Sequence, residues 1–381
     1  MSKLSIRLLT LQTFSTTGGI QKMARTLGYS LQQLANAHQW SFQLWSLHDP
    51  PSALLSQYIP ESSFKGFKNA RIKFVLENFI SCRQTSVLIL SHINLLSVGV
   101  LVKFINPQCR VYLIAHGIEV WRPLSFMQKL LLKKCDLILC VSRFTQQQVH
   151  TLHRIPLSKL RVLNNALDPF IQFPATFTKP SYLLERYGLN EQQPVIFTLT
   201  RLASTEQYKG YEQVIKAVAK LRVAYPHLKY VLAGQYDATE EARIQQLIAH
   251  HEVQNHIIVT GFIEDKEITD HFLLADLFVL PSKKEGFGLV FIEALACGLP
   301  VISGNADGSA DAVKNGELGE SINADSEAEL EQAIVRCLSS PLSIEKRKLL
   351  QSKCIAYFNE AQYRNELEYI LNNNVHEPAT A

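Results

Sequence analysis

No CxxC pair occurs among the seven cysteines, which are scattered at positions 82, 109, 135, 140, 297, 337 and 354. That spacing argues against zinc-ribbon and thioredoxin-like readings, and an odd, scattered set suits reduced cytosolic thiols better than a disulfide framework. A long apolar run is also missing. The most apolar stretch, residues 87–102 (VLILSHINLLSVGVLV), is interrupted by Ser91, His92 and Asn94. It falls short of the roughly 20 residues that a spanning helix needs and reads as a buried strand followed by a helix. The opening MSKLSIRLLTLQTFSTTGG has no apolar core of signal-peptide length and no small-residue cleavage site, so a first strand and loop are expected there. Acidic residues are scarce in the first half. Residues 1–180 hold 6 Asp and Glu against 20 Lys and Arg, whereas residues 181–381 hold 28 against 18. A basic half of this kind is expected to meet something anionic.

What is present is an alternation of short apolar runs and amphipathic segments, over a length that suits two domains rather than one core. In the first half the strand candidates are residues 6–11, 42–47, 87–90, 111–115, 137–141 and 161–163, with helices over 19–38 and 144–153. Strands alternating with helices imply parallel βαβ units, and parallel strands buried on both faces read as continuous apolar runs. Residues 168–182 (DPFIQFPATFTKPSY) hold three prolines and no periodicity, which marks an interdomain linker. The alternation resumes with strands over 195–200, 230–233, 257–260, 277–280 and 301–303 and helices over 211–225 and 289–297. Residues 326–374 read as helical, and 376–381 as a frayed tail. The expected fold class is α/β, with two doubly wound Rossmann-like domains facing each other across a deep cleft. Their spans are 1–170 and 171–358, with a C-terminal helix and tail over 359–381 that packs back on the first domain.

Four segments carry candidate chemistry. In 280–302 (LPSKKEGFGLVFIEALACGLPVI) a strand ends at Pro281, a polar turn holds Glu285, Gly286 and Gly288, and a helix follows with Glu293 inside it. Free amides at a helix N-terminus attract phosphate, and carboxylates accept hydrogen bonds from sugar hydroxyls. A lone GxG would more often be an ordinary βα turn with solvated glutamates. In 200–210 (TRLASTEQYKG) Arg201 and Lys209 place two cations near a strand's carboxyl end. That suits a diphosphate whose charge grows as a glycosidic bond breaks, and equally suits two surface cations. In 16–20 (TTGGI) Gly18 and Gly19 either admit a diphosphate or make a tight turn; no GxGxxG is present, so this is not a dinucleotide fingerprint. His116, in IAHGIEVW at a strand end, either bonds a sugar hydroxyl or is structural.

At these residues the sequence resembles glycosyltransferase family 4, the retaining enzymes of the GT-B fold. The resemblance rests on PSKKEGFGLVFIEALACGLPVI with its two glutamates, the glycine pair 18–19, HGIEVW, the Arg201…Lys209–Gly210 pair and Gly261–Phe262–Ile263. It implies a glycosyltransferase that moves a hexose from a nucleotide-diphosphate sugar to a saccharide or lipid-linked acceptor in cell-surface polysaccharide or glycolipid synthesis. Arg201 and Lys209 would hold the diphosphate, and Glu285 the transferred sugar. The backbone over Gly286, Phe287, Gly288 and Leu289 would bind phosphate or hydroxyls. Glu293 would bind the ribose and Ile263 would lie near the base. Gly18 and Gly19 would close over the diphosphate, and His116 would touch the donor sugar. One departure is Asp307-Gly308-Ser309-Ala310-Asp311, where many members carry a Gly-Gly pair and then a glutamate.

No DxD-like motif stands where a metal site would be expected, so no metal and no cofactor beyond the sugar-nucleotide co-substrate are anticipated. The positive first domain is expected to rest on an anionic membrane surface from the cytoplasmic side. Within it, residues 125–134 (SFMQKLLLKK) read as a helix packed on its own domain with a solvated lysine face, or as an interfacial segment. The rival readings are a nucleotide-sugar epimerase and a non-catalytic sugar-nucleotide-binding scaffold. No nucleic-acid partner is expected, because no recognition motif is present.

Overall fold

Residues 3–373 are described in the computed structural model, and they divide into two units: 3–170 with 358–373, and 171–357. The first unit begins with β1 (Ser5–Thr10), α1 (Gly19–His38), β2 (Ser41–Ser46) and β3 (Phe64–Gly66). It continues with α2 (Arg71–Ser81), β4 (Val87–Leu90), α3 (Leu96–Ile105), β5 (Arg110–Ala115) and α4 (Phe126–Lys133). It closes with β6 (Leu137–Cys140), α5 (Arg143–His153) and β7 (Leu160–Val162). Its seven strands are parallel in the order β3-β2-β1-β4-β5-β6-β7. Every residue of β4 and β6 is buried, as expected of a parallel sheet covered on both faces. In α1, Met23, Leu27, Leu31, Leu34 and Ala35 recur at helical spacing and are buried.

The second unit holds α6 (Ser181–Tyr187), β8 (Val195–Leu199), α7 (Tyr211–Leu221), β9 (Lys229–Ala233), α8 (Ala238–His250) and β10 (Ile257–Gly261). Then come α9 (Ile268–Leu274), β11 (Leu277–Leu280), α10 (Leu289–Ala296), β12 (Val301–Gly304), α11 (Ser309–Ala312), β13 (Glu320–Ile322), α12 (Glu327–Ser339) and α13 (Ile344–Phe358). The strands are parallel in the order β10-β9-β8-β11-β12-β13. Both sheets therefore reverse their strand order beside the first strand, between β1 and β4 and between β8 and β11. In open α/β sheets ligands bind outside the carboxyl ends of the strands at such a switch point.

The structure departs from the sequence expectation at the margins. Strands β3 (FKG) and β13 (ESI) are three-residue edge strands with no apolar run to announce them. Helix α7 stops at Leu221, four residues short of the expected end. The helical stretch after Ser326 is broken twice. Pro341 lies in the first break, and Asn359 caps α14 (Glu360–Asn372) by accepting the Gln362 N–H at 2.8 Å. Helix α14 packs on α1, where the Ser30 hydroxyl donates to Glu360 at 2.8 Å and His38 lies 2.7 Å from Glu368. The tail 376–381 lies outside the described residues. All seven cysteines are free thiols.

Candidate active site

In the second unit, three loops that leave β8, β11 and β12 are laced together. The turn over Gln207–Lys209 ends at Gly210, whose φ of 86° is open to glycine at little cost. A Cβ at this position would stand 2.4 Å from the Pro281 carbonyl oxygen, so glycine also permits the close approach of the two loops. Across that approach the Lys283 N–H donates to the Tyr208 carbonyl at 3.0 Å, and the Ser282 hydroxyl reaches the same oxygen at 3.4 Å. The Lys209 Nζ then lies 2.5 Å from Glu285 Oε1, with both side chains largely buried. Burial alone would lower the Lys209 ammonium; the adjoining Glu285 carboxylate outweighs it and holds the group above its ordinary value.

The third loop holds Glu285 from behind. Asp307 is buried, and its carboxylate accepts the Glu285 N–H at 2.6 Å, the Ser309 N–H at 2.9 Å and the Ser309 hydroxyl at 2.6 Å. The Gly308 N–H donates to the Glu285 carbonyl at 2.8 Å. Both backbone groups of Glu285 are thus fixed by the segment that departs from the family pattern. Burial pushes the Asp307 carboxyl up to about 6, against the opposing hydrogen bonds from Ser309.

Arg201 stands two residues beyond β8. Its guanidinium pairs with Glu206 at 2.7 Å, and its side chain is 71% exposed, unlike that of Lys209. The electrostatic environment of the Tyr208 phenol includes Glu206, Lys209, Glu285 and Arg201, so the two predicted cations and Glu285 share one neighbourhood. Gly288 has a φ of 84° and precedes α10, whose first turn opens with Leu289. Phe287, just before Gly288, is buried. Glu293 is buried within α10, and Ile263 is buried just beyond β10.

In the first unit the β1–α1 loop is gripped from two sides. Asp49, fully buried beyond β2, accepts the N–H groups of Thr13 at 2.7 Å, Phe14 at 3.1 Å and Ser15 at 3.0 Å. It also accepts the hydroxyls of Ser15 and, at 2.8 Å, Ser46. Burial would raise this carboxyl, but the donors outweigh it and hold it below its ordinary value. From α1, the buried Arg25 donates to the Thr13 carbonyl at 2.8 Å and the Thr16 carbonyl at 2.7 Å. The loop ends at Gly18, which is extended (φ 167°), and Gly19, beside which a Cβ would meet nothing within 4 Å. A strained tight turn therefore does not explain the glycine pair.

His116, beyond β5, is buried with its Nε2 2.7 Å from the Ser91 carbonyl beyond β4. A carbonyl only accepts, so Nε2 carries the hydrogen and Nδ1 offers its lone pair. Burial lowers the imidazole's pKa, which favours that neutral form. The His116 N–H donates to Glu119 at 2.6 Å, which fixes the turn.

Sequence reasoning did not find Asp49, Arg25 or Tyr208, and found Asp307 only as a departure from a pattern. Asp49 carries one weak signal: it is an acid in an acid-poor half, directly after an apolar strand.

Two parallel, doubly wound sheets of seven and six strands define a GT-B glycosyltransferase fold. Residues 183–354 match the model of the family described as glycosyl transferases group 1. The chain is 28% identical over 243 residues to the GDP-mannose-dependent alpha-(1-6)-phosphatidylinositol monomannoside mannosyltransferase of Mycolicibacterium smegmatis. That match covers 61% of this chain and 62% of the relative. It is 27% identical over 188 residues to the N-acetyl-alpha-D-glucosaminyl L-malate synthase of Bacillus anthracis, covering 49% and 46%. The chain thus spans less than two thirds of the length of these curated relatives. In three dimensions it resembles the Anabaena protein HepE in complex with UDP, with a TM-score of 0.78 and 19% identity over 97% of this chain and 99% of that one. It likewise resembles the sucrose-phosphate synthase of Thermosynechococcus elongatus, with a TM-score of 0.75 and 19% identity over 97% and 98%.

Proposed function

We propose that the protein is a retaining hexosyltransferase that takes its sugar from a nucleotide-diphosphate donor and delivers it to a saccharide or lipid-linked acceptor at a membrane surface. The observation that carries this reading is the buried Lys209–Glu285 pair at the carboxyl ends of β8 and β11. A cation and a sugar-binding carboxylate at a switch point are what a glycosyl diphosphate requires at its two ends. As the glycosidic bond breaks, negative charge gathers on the diphosphate. Lys209 and Arg201 stabilise it, helped by the amides at the start of α10. Glu285 bonds sugar hydroxyls, Glu293 the ribose, and Ile263 lies near the base. For Gly18, Gly19 and His116 of the first unit, donor-binding roles rest on the family resemblance, and the His116 Nδ1 is the ring atom that would accept from a sugar hydroxyl.

Departure of the diphosphate from the face that the acceptor enters gives retention without a covalent carboxylate nucleophile. The lysine and arginine take the role a metal would otherwise fill, so turnover is metal-independent. Among the relatives, the mannosyltransferase is named as GDP-mannose-dependent and the HepE structure holds UDP, which leaves the base to experiment.

A thermal-shift series with UDP-, GDP- and ADP-sugars tests the reading, because a bound donor stabilises by about 2.7 kcal/mol at a hundredfold excess over Kd. One donor class is expected to stabilise the wild-type protein and to be hydrolysed or transferred, with turnover lost in Glu285→Ala. Equal donor hydrolysis by wild type and variant would sink the assignment of Glu285.

A further inference from the structure

Three helices of the first unit expose apolar side chains where solvated ones are ordinary. A helix advances about 100° per residue, so Ile72, Leu76, Phe79 and Ile80 fall on one arc of α2. The buried residues of that helix, Phe74 and Asn78, fall on the opposite arc. Ile72 is 78% exposed and Ile80 74%. Helix α2 thus points its main apolar stripe away from its own core, the reverse of the usual surface helix.

The neighbours continue the pattern. Helices α2, α3 and α4 connect β3 to β4, β4 to β5 and β5 to β6, all moving in one direction along the sheet. Right-handed crossovers put all three on the same face. Helix α3 packs against both of the others. Phe104 at the end of α3 is 84% exposed, and Phe126 and Met127 in the first turn of α4 are 77% and 61% exposed. Helix α4 therefore solvates more than its lysines.

Charge selects what covers this face. Residues 61–136 hold eleven Lys and Arg against four acids, Glu61, Glu77, Glu119 and Asp136. Of these, Glu77 is already paired with Lys65 and Lys73, and Asp136 with Lys103. Arg71, Arg83, Lys133 and Lys134 are exposed. A second copy of the same face would bring like charges together, whereas an anionic bilayer offers phosphates to the cations and acyl chains to the apolar groups. Among the described residues no helix is long and apolar enough to cross a membrane, so contact would be in the plane of the surface.

We propose that the α2–α3–α4 face is the lipid-binding surface of this protein. Ile72, Ile80, Phe104 and Phe126 enter the headgroup–acyl boundary, and the surrounding lysines and arginines meet anionic headgroups. The inference rests on the transferase reading for its purpose, an acceptor presented at that surface.

The test is co-sedimentation of the full chain with phosphatidylcholine vesicles with and without phosphatidylglycerol, at low and high salt. The wild-type protein is expected to sediment with the anionic vesicles. Ile72→Asp/Ile80→Asp and Phe126→Asp are each expected to weaken that binding about tenfold or more, since a buried large apolar side chain contributes at least that much. The altered side chains are exposed, so unchanged melting curves are expected and will exclude misfolding. No sedimentation at low salt would overturn the proposal. So would full binding by the aspartate variants, or a concentration-dependent dimer that they abolish. The donor thermal shift separates the two readings: a shift without vesicle binding removes only the lipid surface. Vesicle binding without any donor shift supports the surface and counts against the transferase.

Discussion

Lys209 and Glu285 are 76 residues apart in sequence and 2.5 Å apart in the structure, joined by a hydrogen-bonded ion pair in a largely buried setting. The pair has a testable consequence for stability. Removing one member leaves the other charge buried without its partner, which costs about 3–5 kcal/mol, whereas replacing both by isosteric neutral groups is close to neutral. Lys209→Met and Glu285→Gln are therefore each expected to lower the melting temperature by more than the double variant does. All three are expected to lose turnover by about a hundredfold or more. Additive losses of stability in the double variant would show that the pair is not coupled.

Asp307 is expected to set a pH limit. Its carboxylate holds the Glu285 N–H, and its proton comes on at about 6 rather than at the ordinary 3.8. Below about 6 the neutral acid is a weaker acceptor, so donor affinity should fall on acidification. Stability runs the other way. The folded state binds this proton more tightly than the unfolded state, so the Asp307 contribution to stability is fully present below 3.8 and is lost as the pH rises through about 6. Asp307→Asn should remove both trends, which donor titrations and melting curves across this range would reveal. An unchanged acid limb in the variant would assign the limb to another group.

Asp307 and Asp49 mark the limit of what could be read from sequence. The buried apolar runs of β4, β6 and β11 announce parallel strands, and strand–turn–helix spacing announces Glu285 and Glu293. Nothing local distinguishes Asp307 or Asp49 from solvated loop acids. Besides the nearby Ser309 and Ser46, their partners lie 22 residues away at Glu285 and 34 to 36 residues away at Ser15, Phe14 and Thr13, and only the folded topology brings those together. Strands β3 and β13 are invisible for a different reason: three residues at a sheet edge owe their conformation to the neighbouring strand rather than to their own pattern. In α2 the apolar arc of Ile72, Leu76, Phe79 and Ile80 is the exposed one, while Phe74 and Asn78 are buried, so periodicity alone would turn this helix the wrong way round.

Chelation gives a direct test of the proposed charge stabilisation. If Lys209 and Arg201 stabilise the leaving diphosphate, turnover in excess EDTA should match turnover in buffer. A loss restored by added magnesium or manganese would show that a divalent ion shares the task.

The β1–α1 loop is expected to depend on Asp49 for its order. The carboxylate takes three consecutive backbone N–H groups, those of Thr13, Phe14 and Ser15, while Arg25 takes the Thr13 and Thr16 carbonyls. Hydrogen bonds to a charged group contribute about 1.5–3 kcal/mol each. Asp49→Ala leaves three backbone N–H groups and the Ser15 and Ser46 hydroxyls without this acceptor and is expected to destabilise the fold by about 2–4 kcal/mol. Asp49→Asn keeps one acceptor oxygen but turns an amide N–H₂ toward the same donors, so it should recover only part of that loss. Hydrogen exchange at residues 13–15 reports the effect where it arises. If Asp49 holds the loop, these amides should exchange faster in both variants, and faster than the amides of β4 in the same sheet. Donor binding should weaken in step if Gly18 and Gly19 meet the diphosphate. Faster exchange with unchanged donor affinity would keep Asp49 as the anchor of the loop and remove the glycine pair from the donor site.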